Sequence, residues 1–197
     1  MSEHIAYWTD QAKRGNAVVF GPVLDPKGIY GVGIVEIEDE ARLHALLAGD
    51  PAVKAELQRD EFYPMSPRSV VRKMKAPLED ETTLMEFVEG EIMEFLYKTS
   101  ATRTGMVAEG PNDAEKAIIE EHFDYVKSLT DRGVVLVFGR TQNREAGAFG
   151  IVIFRAGSNE EAQSIMNKDP AVKQGIMHAE LYPYKVAGLN ARDWQVE

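Results

Sequence analysis

Apolar positions in the later part of the chain switch between strand-like and helix-like spacing. Residues 92–99 are rich in apolar and aromatic side chains and read as a strand. The loop 100–111 carries Gly105 and Gly110-Pro111. Asn112 with Glu115 three residues on is a capping-box-like helix start. Ala114, Ile118, His122, Val126 and Leu129 then recur at helical spacing and share one face, and Gly133 ends that helix. A short apolar strand is predicted over 134–138, a turn over 143–147 and a second strand over 149–154. Ser158 with Glu161 opens a short helix to about residue 167. Asp169-Pro170 begins another turn, and residues 179–186 form the last strand. The order is βαββαβ, the split pattern of an antiparallel sheet with helices on one face.

The same pattern occurs earlier in the chain. Residues 3–21 align with 121–139 at a constant offset: Tyr7 with Tyr125, Arg14-Gly15 with Arg132-Gly133, Val19 with Val137. After one inserted residue, Gly28 meets Gly147, Gly31 meets Gly150, and the run Asp50-Pro51-Ala52-Val53-Lys54 meets Asp169-Pro170-Ala171-Val172-Lys173. Tyr63-Pro64 matches Tyr182-Pro183. Two homologous halves are therefore expected, one over 1–75 and a complete one over 92–197. The first half lacks its opening strand, because its first helix begins almost at residue 1. Residues 76–91 have no counterpart. They start as an acidic linker and turn apolar at 84–88, a stretch expected to cover the sheet edge left open in the first half.

Charge and composition narrow the function. The chain of 197 residues has 22 basic and 32 acidic side chains, a net charge of −10. An acidic surface repels phosphate backbones, so neither nucleic acid nor an anionic membrane is an expected partner. No apolar run approaches the length of a membrane span, and the N-terminus lacks the basic and apolar regions of a signal peptide. Cysteine is absent, which excludes disulfides, thiolate metal sites and a cysteine nucleophile. A cytoplasmic protein is expected.

Of the four histidines, only His4 and His122 are repeat partners; His44 and His178 read as solvated surface positions. Asp50 and Asp169 are likewise partners. The repeat thus keeps a histidine and an aspartate in each half. An imidazole titrates near neutral pH, and a carboxylate on one ring nitrogen fixes its tautomer and steadies the imidazolium. No serine or cysteine is retained in both halves, so the chemistry would be proton transfer rather than acyl transfer. A plainer reading stands beside it. His122 lies on an apolar helix face, where histidines pack, and Asp-Pro is an ordinary helix start with Asp as N-cap and Pro at N1.

Phe138, Phe149 and Tyr182 read as core aromatics that can also wall an aromatic-sized pocket. Arg103, in the loop after the first strand, is a candidate contact for an anionic substrate, or simply a solvated arginine. One His plus one Asp is a thin ligand set, so no metal is expected. Gly31-Val32-Gly33 lies inside a strand and opens no helix, so it is not a dinucleotide fingerprint. No cofactor is expected.

Together, Phe95-Leu96-Tyr97-Lys98, Arg103-Thr104-Gly105-Met106, Glu109-Gly110-Pro111, Glu121-His122-Phe123, residues 133–139 and Asp169-Pro170 resemble the YciI (YCII-related) family. The first half resembles it through residues 3–7, Val19-Phe20-Gly21-Pro22 and Asp50-Pro51-Ala52. The resemblance spans about residues 3–73 and 92–187. It implies an α+β fold in which two ferredoxin-like βαββαβ halves pack as an intramolecular dimeric α+β barrel, the first half lacking its first strand. It implies a His–Asp active site at His122 with Asp169 and at His4 with Asp50. It implies a cofactor-independent lyase or isomerase, similar to a dehydrochlorinase or to muconolactone isomerase, acting on a small aromatic or anionic molecule. Arg140 departs from the pattern, replacing the proline that Pro22 supplies in the first half. The alternatives are a non-catalytic ligand-binding or accessory protein and a structural pseudo-dimer. The assembly is expected to be a monomeric pseudo-dimer or a homodimer.

Overall fold

A computed structural model describes residues 2–65, 93–143 and 147–190. The chain divides into two compact units, residues 2–62 with 185–190, and Tyr63–Tyr184. Each is mixed α and β with antiparallel pairing. The acidic linker at 76–91, including the stretch 84–88, lies outside the described residues. Among the described residues no helix is long and apolar enough to cross a membrane.

The second unit follows the expected βαββαβ order. It consists of β3 (Met93–Ala101), α5 (Asp113–Asp131), β4 (Val135–Arg140), β5 (Phe149–Ala156), α6 (Asn159–Lys168) and β6 (Met177–Tyr184). Two single turns of helix are added: α4 (Gly105–Ala108) inside the expected loop, and α7 (Pro170–Lys173) where a turn was expected. The antiparallel strand order is β4-β5-β3-β6. The stripe of α5 buries Val126 and Leu129 against Phe95, Tyr97, Val152 and Phe154 of the sheet. Each such side chain contributes about 1.5–3 kcal/mol when fully buried. Tyr125 adds a directional tie, its hydroxyl donating to the Ile165 carbonyl of α6 at 2.8 Å.

Strand β6 starts two residues before the expected position. Gly175 (φ 73°) adopts a left-handed conformation that reverses the chain directly after α7, so pairing with β3 begins at Met177. In the first half Glu56 takes this place at φ 57°, the one positive φ outside glycine among the described residues.

The first unit repeats the middle of this order as α1 (Ser2–Arg14), β1 (Ala17–Val23), β2 (Tyr30–Val35), α2 (Glu40–Gly49) and α3 (Pro51–Lys54). Trp8 and Ala12 of α1 pack on Ala17, Phe20 and Leu46. Its helix-to-helix tie is the same, with the Tyr7 hydroxyl on the Leu46 carbonyl at 2.7 Å. The last strand of the half departs from expectation. Tyr63-Pro64, aligned with β6, forms no strand. Pro64 accepts from the Gln142 amide at 2.7 Å and Met65 bridges Thr141, within the second unit. The cause is topological. Strand β6 is laid against β3, and among the described residues of the first unit no strand is placed to take 58–65 in the same way. Strand β1 instead pairs with β2 on one edge and on the other with β7 (Gly188–Leu189), an element with no sequence signal of its own.

Candidate active site

The helix bearing His122 is fixed at its start. Asn112 caps α5 by accepting from the Glu115 amide at 2.9 Å, and Glu115 accepts in return from the Asn112 amide at 2.7 Å. Arg103 clasps the same Glu115 with two nitrogens at 2.8 Å each, and also donates to Glu109 and to the Gly110 carbonyl. The Arg103 hydrogen bond, then the Asn112 amide, hold Glu115 down at about 2. The three guanidinium nitrogens of Arg103 all serve this clasp, and Arg103 is not in the cavity wall described below. The structure places Arg103, a candidate substrate contact, in this clasp at the start of α5.

His122 lies about two helical turns beyond Glu115 and meets Asp169, which sits between α6 and α7. The His122 Nδ1 lies 2.8 Å from both carboxylate oxygens. An ionised carboxylate only accepts, so Nδ1 carries the proton and Nε2 is the basic nitrogen. Asp169 is 0% exposed. It also caps α7, Oδ1 accepting from the Ala171 amide at 3.0 Å, with Pro170 in the first turn. Helix cap and histidine partner, alternatives in the sequence, are thus one carboxylate acting as both. A third donor had no sequence assignment: the buried Tyr97 hydroxyl, on β3, donates to Oδ2 at 2.9 Å. Burial first, and then the Asp169 charge, push the Tyr97 phenol well above its ordinary value.

The His122 ring lines a cavity of about 250 Å³. The walls are mainly apolar. Phe138 and Phe149 lie in them, together with Phe123, Ile119 and Met177. Phe123 meets Phe138 edge-on at 5.7 Å, and Tyr63 backs Phe149 at 5.2 Å. Tyr182 is not in the wall; it pairs with Leu96 along the β6–β3 ladder. One side is bare backbone. A Cβ on Gly150 would come to 2.5 Å from Thr99 Oγ1, so this strand position accepts only glycine without a shift. Arg140, at the end of β4, is in the wall and is exposed.

The first unit builds a matching pair by different means. His4 Nδ1 lies 2.9 and 2.8 Å from the two oxygens of Asp50, which is also 0% exposed. Asp50 caps α3 through the Ala52 amide at 2.9 Å. Its third donor is Trp8 Nε1 at 2.8 Å, from α1. Burial alone would raise the Asp50 carboxyl; the bonds from His4, Ala52 and Trp8 outweigh it and hold the group below its ordinary range. Among the described residues no three His, Asp or Glu side chains gather as a metal site.

The second unit is thus a ferredoxin-like α+β fold that places a histidine on a buried carboxylate beside a mainly apolar cavity. The chain belongs to the YCII-related domain family, whose profile matches residues 1–65 and 93–185. Among solved structures it is similar to a "putative monooxygenase" from Lactobacillus acidophilus, 11% identical over 98% of this chain and 90% of that one, with a TM-score of 0.54. It is also similar to a heme-binding protein from Thermus thermophilus, 12% identical over 93% of this chain and 78% of that one, with a TM-score of 0.49. At these identities the likeness is one of fold. No curated protein matches the chain.

Proposed function

We propose that the cavity of the second unit is the active site of a cofactor-independent lyase or isomerase that moves a proton on a small aromatic or anionic molecule. The reading is carried by one observation: His122 is paired through Nδ1 with a fully buried carboxylate and lines a mainly apolar cavity. With Nδ1–H given to Asp169, Nε2 keeps a lone pair for a substrate proton. An acidic C–H or O–H of the substrate breaks, its proton passes to Nε2, and the bonding electrons remain on the substrate as an enolate-like or phenolate-like anion. The Asp169 charge steadies the imidazolium. The anion then takes the proton back at another atom, an isomerisation, or expels a leaving group such as chloride, an elimination that leaves the proton to be released to water. Proton transfer by a placed group is worth about 10²–10⁴ in rate. The aromatic side chains of the wall suit a flat ring. Arg140, with His122 the only ionisable side chain in that wall among the described residues, supplies a cation for an acidic substituent. His4 with Asp50 is a second centre of the same type.

A second reading, ligand binding without turnover, is favoured by how little of the wall is polar. One comparison separates the two. Wild type and His122→Ala are assayed against a panel of hydroxylated, chlorinated and lactone compounds, with binding and unfolding measured alongside. Catalysis requires turnover that falls at least ~100-fold in the variant while stability is kept. Binding without turnover in the wild type refutes the enzyme. A variant that only loses stability, by about 0.5–3 kcal/mol, marks His122 as a packing residue.

A further inference from the structure

We propose that Tyr97 is a positioning residue that sets the basicity of His122 by donating its hydroxyl to Asp169, a place that Trp8 takes in the first unit. Three donors converge on the buried Asp169 carboxylate: His122 Nδ1, the Ala171 amide and the Tyr97 hydroxyl. The amide is part of the α7 cap and is fixed by the backbone. The hydroxyl is the one side-chain donor on Asp169, apart from the histidine, among the described residues. It lies on β3, 0% exposed and 72 residues from its acceptor in sequence. A carboxylate whose lone pairs are shared with neutral donors is a weaker base, so it favours the imidazolium less. Removing the hydroxyl leaves the whole charge to His122 and the amide, and the imidazolium gains.

The other charged or titratable groups around the pair come from several elements and do not duplicate this contact. On α5, Tyr125 donates to the Ile165 carbonyl and Glu121 accepts from Gln174, the residue that follows α7. On β4, Arg140 shares the cavity wall with His122. On β3 itself, Lys98 lies over the Phe149 ring at 4.7 Å.

The first unit supports the inference from another side. Among the described residues no tyrosine from a strand reaches Asp50. The corresponding place on Asp50 is filled by Trp8 Nε1 from α1, at the position that Val126 occupies in α5. Two different side chains, reaching from a strand and from a helix, donate to the corresponding Oδ2 of Asp169 and of Asp50 at 2.9 and 2.8 Å. A filler of shape alone would not need an N–H or O–H at both places.

The inference takes its catalytic meaning from the proposed role of His122, but its first test needs no substrate. The imidazole signals of the full-length protein are titrated by ¹H–¹⁵N NMR in the wild type and in Tyr97→Phe. The midpoint of His122 is expected to rise by about 0.5–1 pH unit, the worth of one hydrogen bond, with His4 unmoved. Site-specific 3-fluorotyrosine at position 97 keeps the shape and sharpens the donor, so it is expected to lower the midpoint, and it serves where Tyr97→Phe folds poorly. A His122 midpoint that stays put in the fluorinated protein overturns the inference, as does an equal shift of His4. Where a substrate is in hand, the acid limb of the rate profile is expected to move with the midpoint. A shifted midpoint with no turnover on any compound would sink the proposed enzyme and leave the positioning role standing.

Discussion

Replacing Asp169 by Asn separates the two tasks of this side chain. The amide oxygen of the new side chain can still accept from the Ala171 amide, 3.0 Å away in the wild type, and Asn is as good an N-cap as Asp. The charge on His122 Nδ1 is what disappears. The loss is that of one hydrogen bond to a charged group, about 1.5–3 kcal/mol. Asp169→Ala also forfeits the cap, about 1 kcal/mol, and leaves the buried Tyr97 hydroxyl unpaired. Its total is expected near 3–5 kcal/mol, about the cost of breaking a buried pair from one side. The Asn variant also reverses the tautomer. Its side-chain nitrogen donates to His122 Nδ1, the ring proton moves to Nε2, and the base is lost, with turnover falling by about 10²–10⁴. Denaturant unfolding of both variants, with ¹⁵N shifts of the ring nitrogens, reads each part. If Asn and Ala variants unfold alike, or if Nε2 of the Asn variant stays unprotonated at neutral pH, the account of this carboxylate is wrong.

Further outcomes can be checked separately. Glu115→Gln should matter least in acid: with the folded value near 2 against an ordinary 4.5, the wild-type advantage is full above 4.5 and fades as pH falls toward 2. Unfolding midpoints of the two proteins should therefore converge across that window, and a gap unchanged at the acid end would count against the clasp. Gly150→Ala is expected to cost about 1–3 kcal/mol by driving a methyl onto Thr99 Oγ1, read by denaturant titration. A neutral result there means that β3 and β5 shift freely beside the cavity. Arg140→Gln is expected to weaken benzoate about two- to fivefold, the worth of an exposed ion pair, and to leave benzamide unchanged. Equal effects on both ligands would exclude a charge contact.

Much of this architecture was legible because local chemistry and tertiary position agree. The Asn112–Glu115 box, the stripe ending at Leu129 and the stop at Gly133 mark α5 almost to the residue, and Asp-Pro marks the cap of α7. The pairing of His122 with Asp169 was legible through the repeat and the family resemblance, not through local spacing, since 47 residues separate them. Tyr97 was not, because a tyrosine in an apolar strand reads as core, and only the β3–β6 and β3–β5 registers bring its hydroxyl under the α6–α7 junction. Trp8 was hidden for the same reason on an apolar helix face. The Arg103 clasp was not legible, because a loop arginine gives no sign of the carboxylate it will meet twelve residues on. The pairing of β7 with β1 left no mark, because two residues are too few to show a period.

The double duty of Asp50 and Asp169 bears on how such a chain changes over generations. A carboxylate that ties a helix start and holds a histidine is kept by selection for folding alone. A half that stops turning over substrate therefore has no easy route to shedding its dyad, and the intact pair outlives the activity. The presence of His4 and Asp50 in the first unit is thus no measure of turnover there. Only the walls around a pair, free to drift once no ligand is selected, record whether turnover persists.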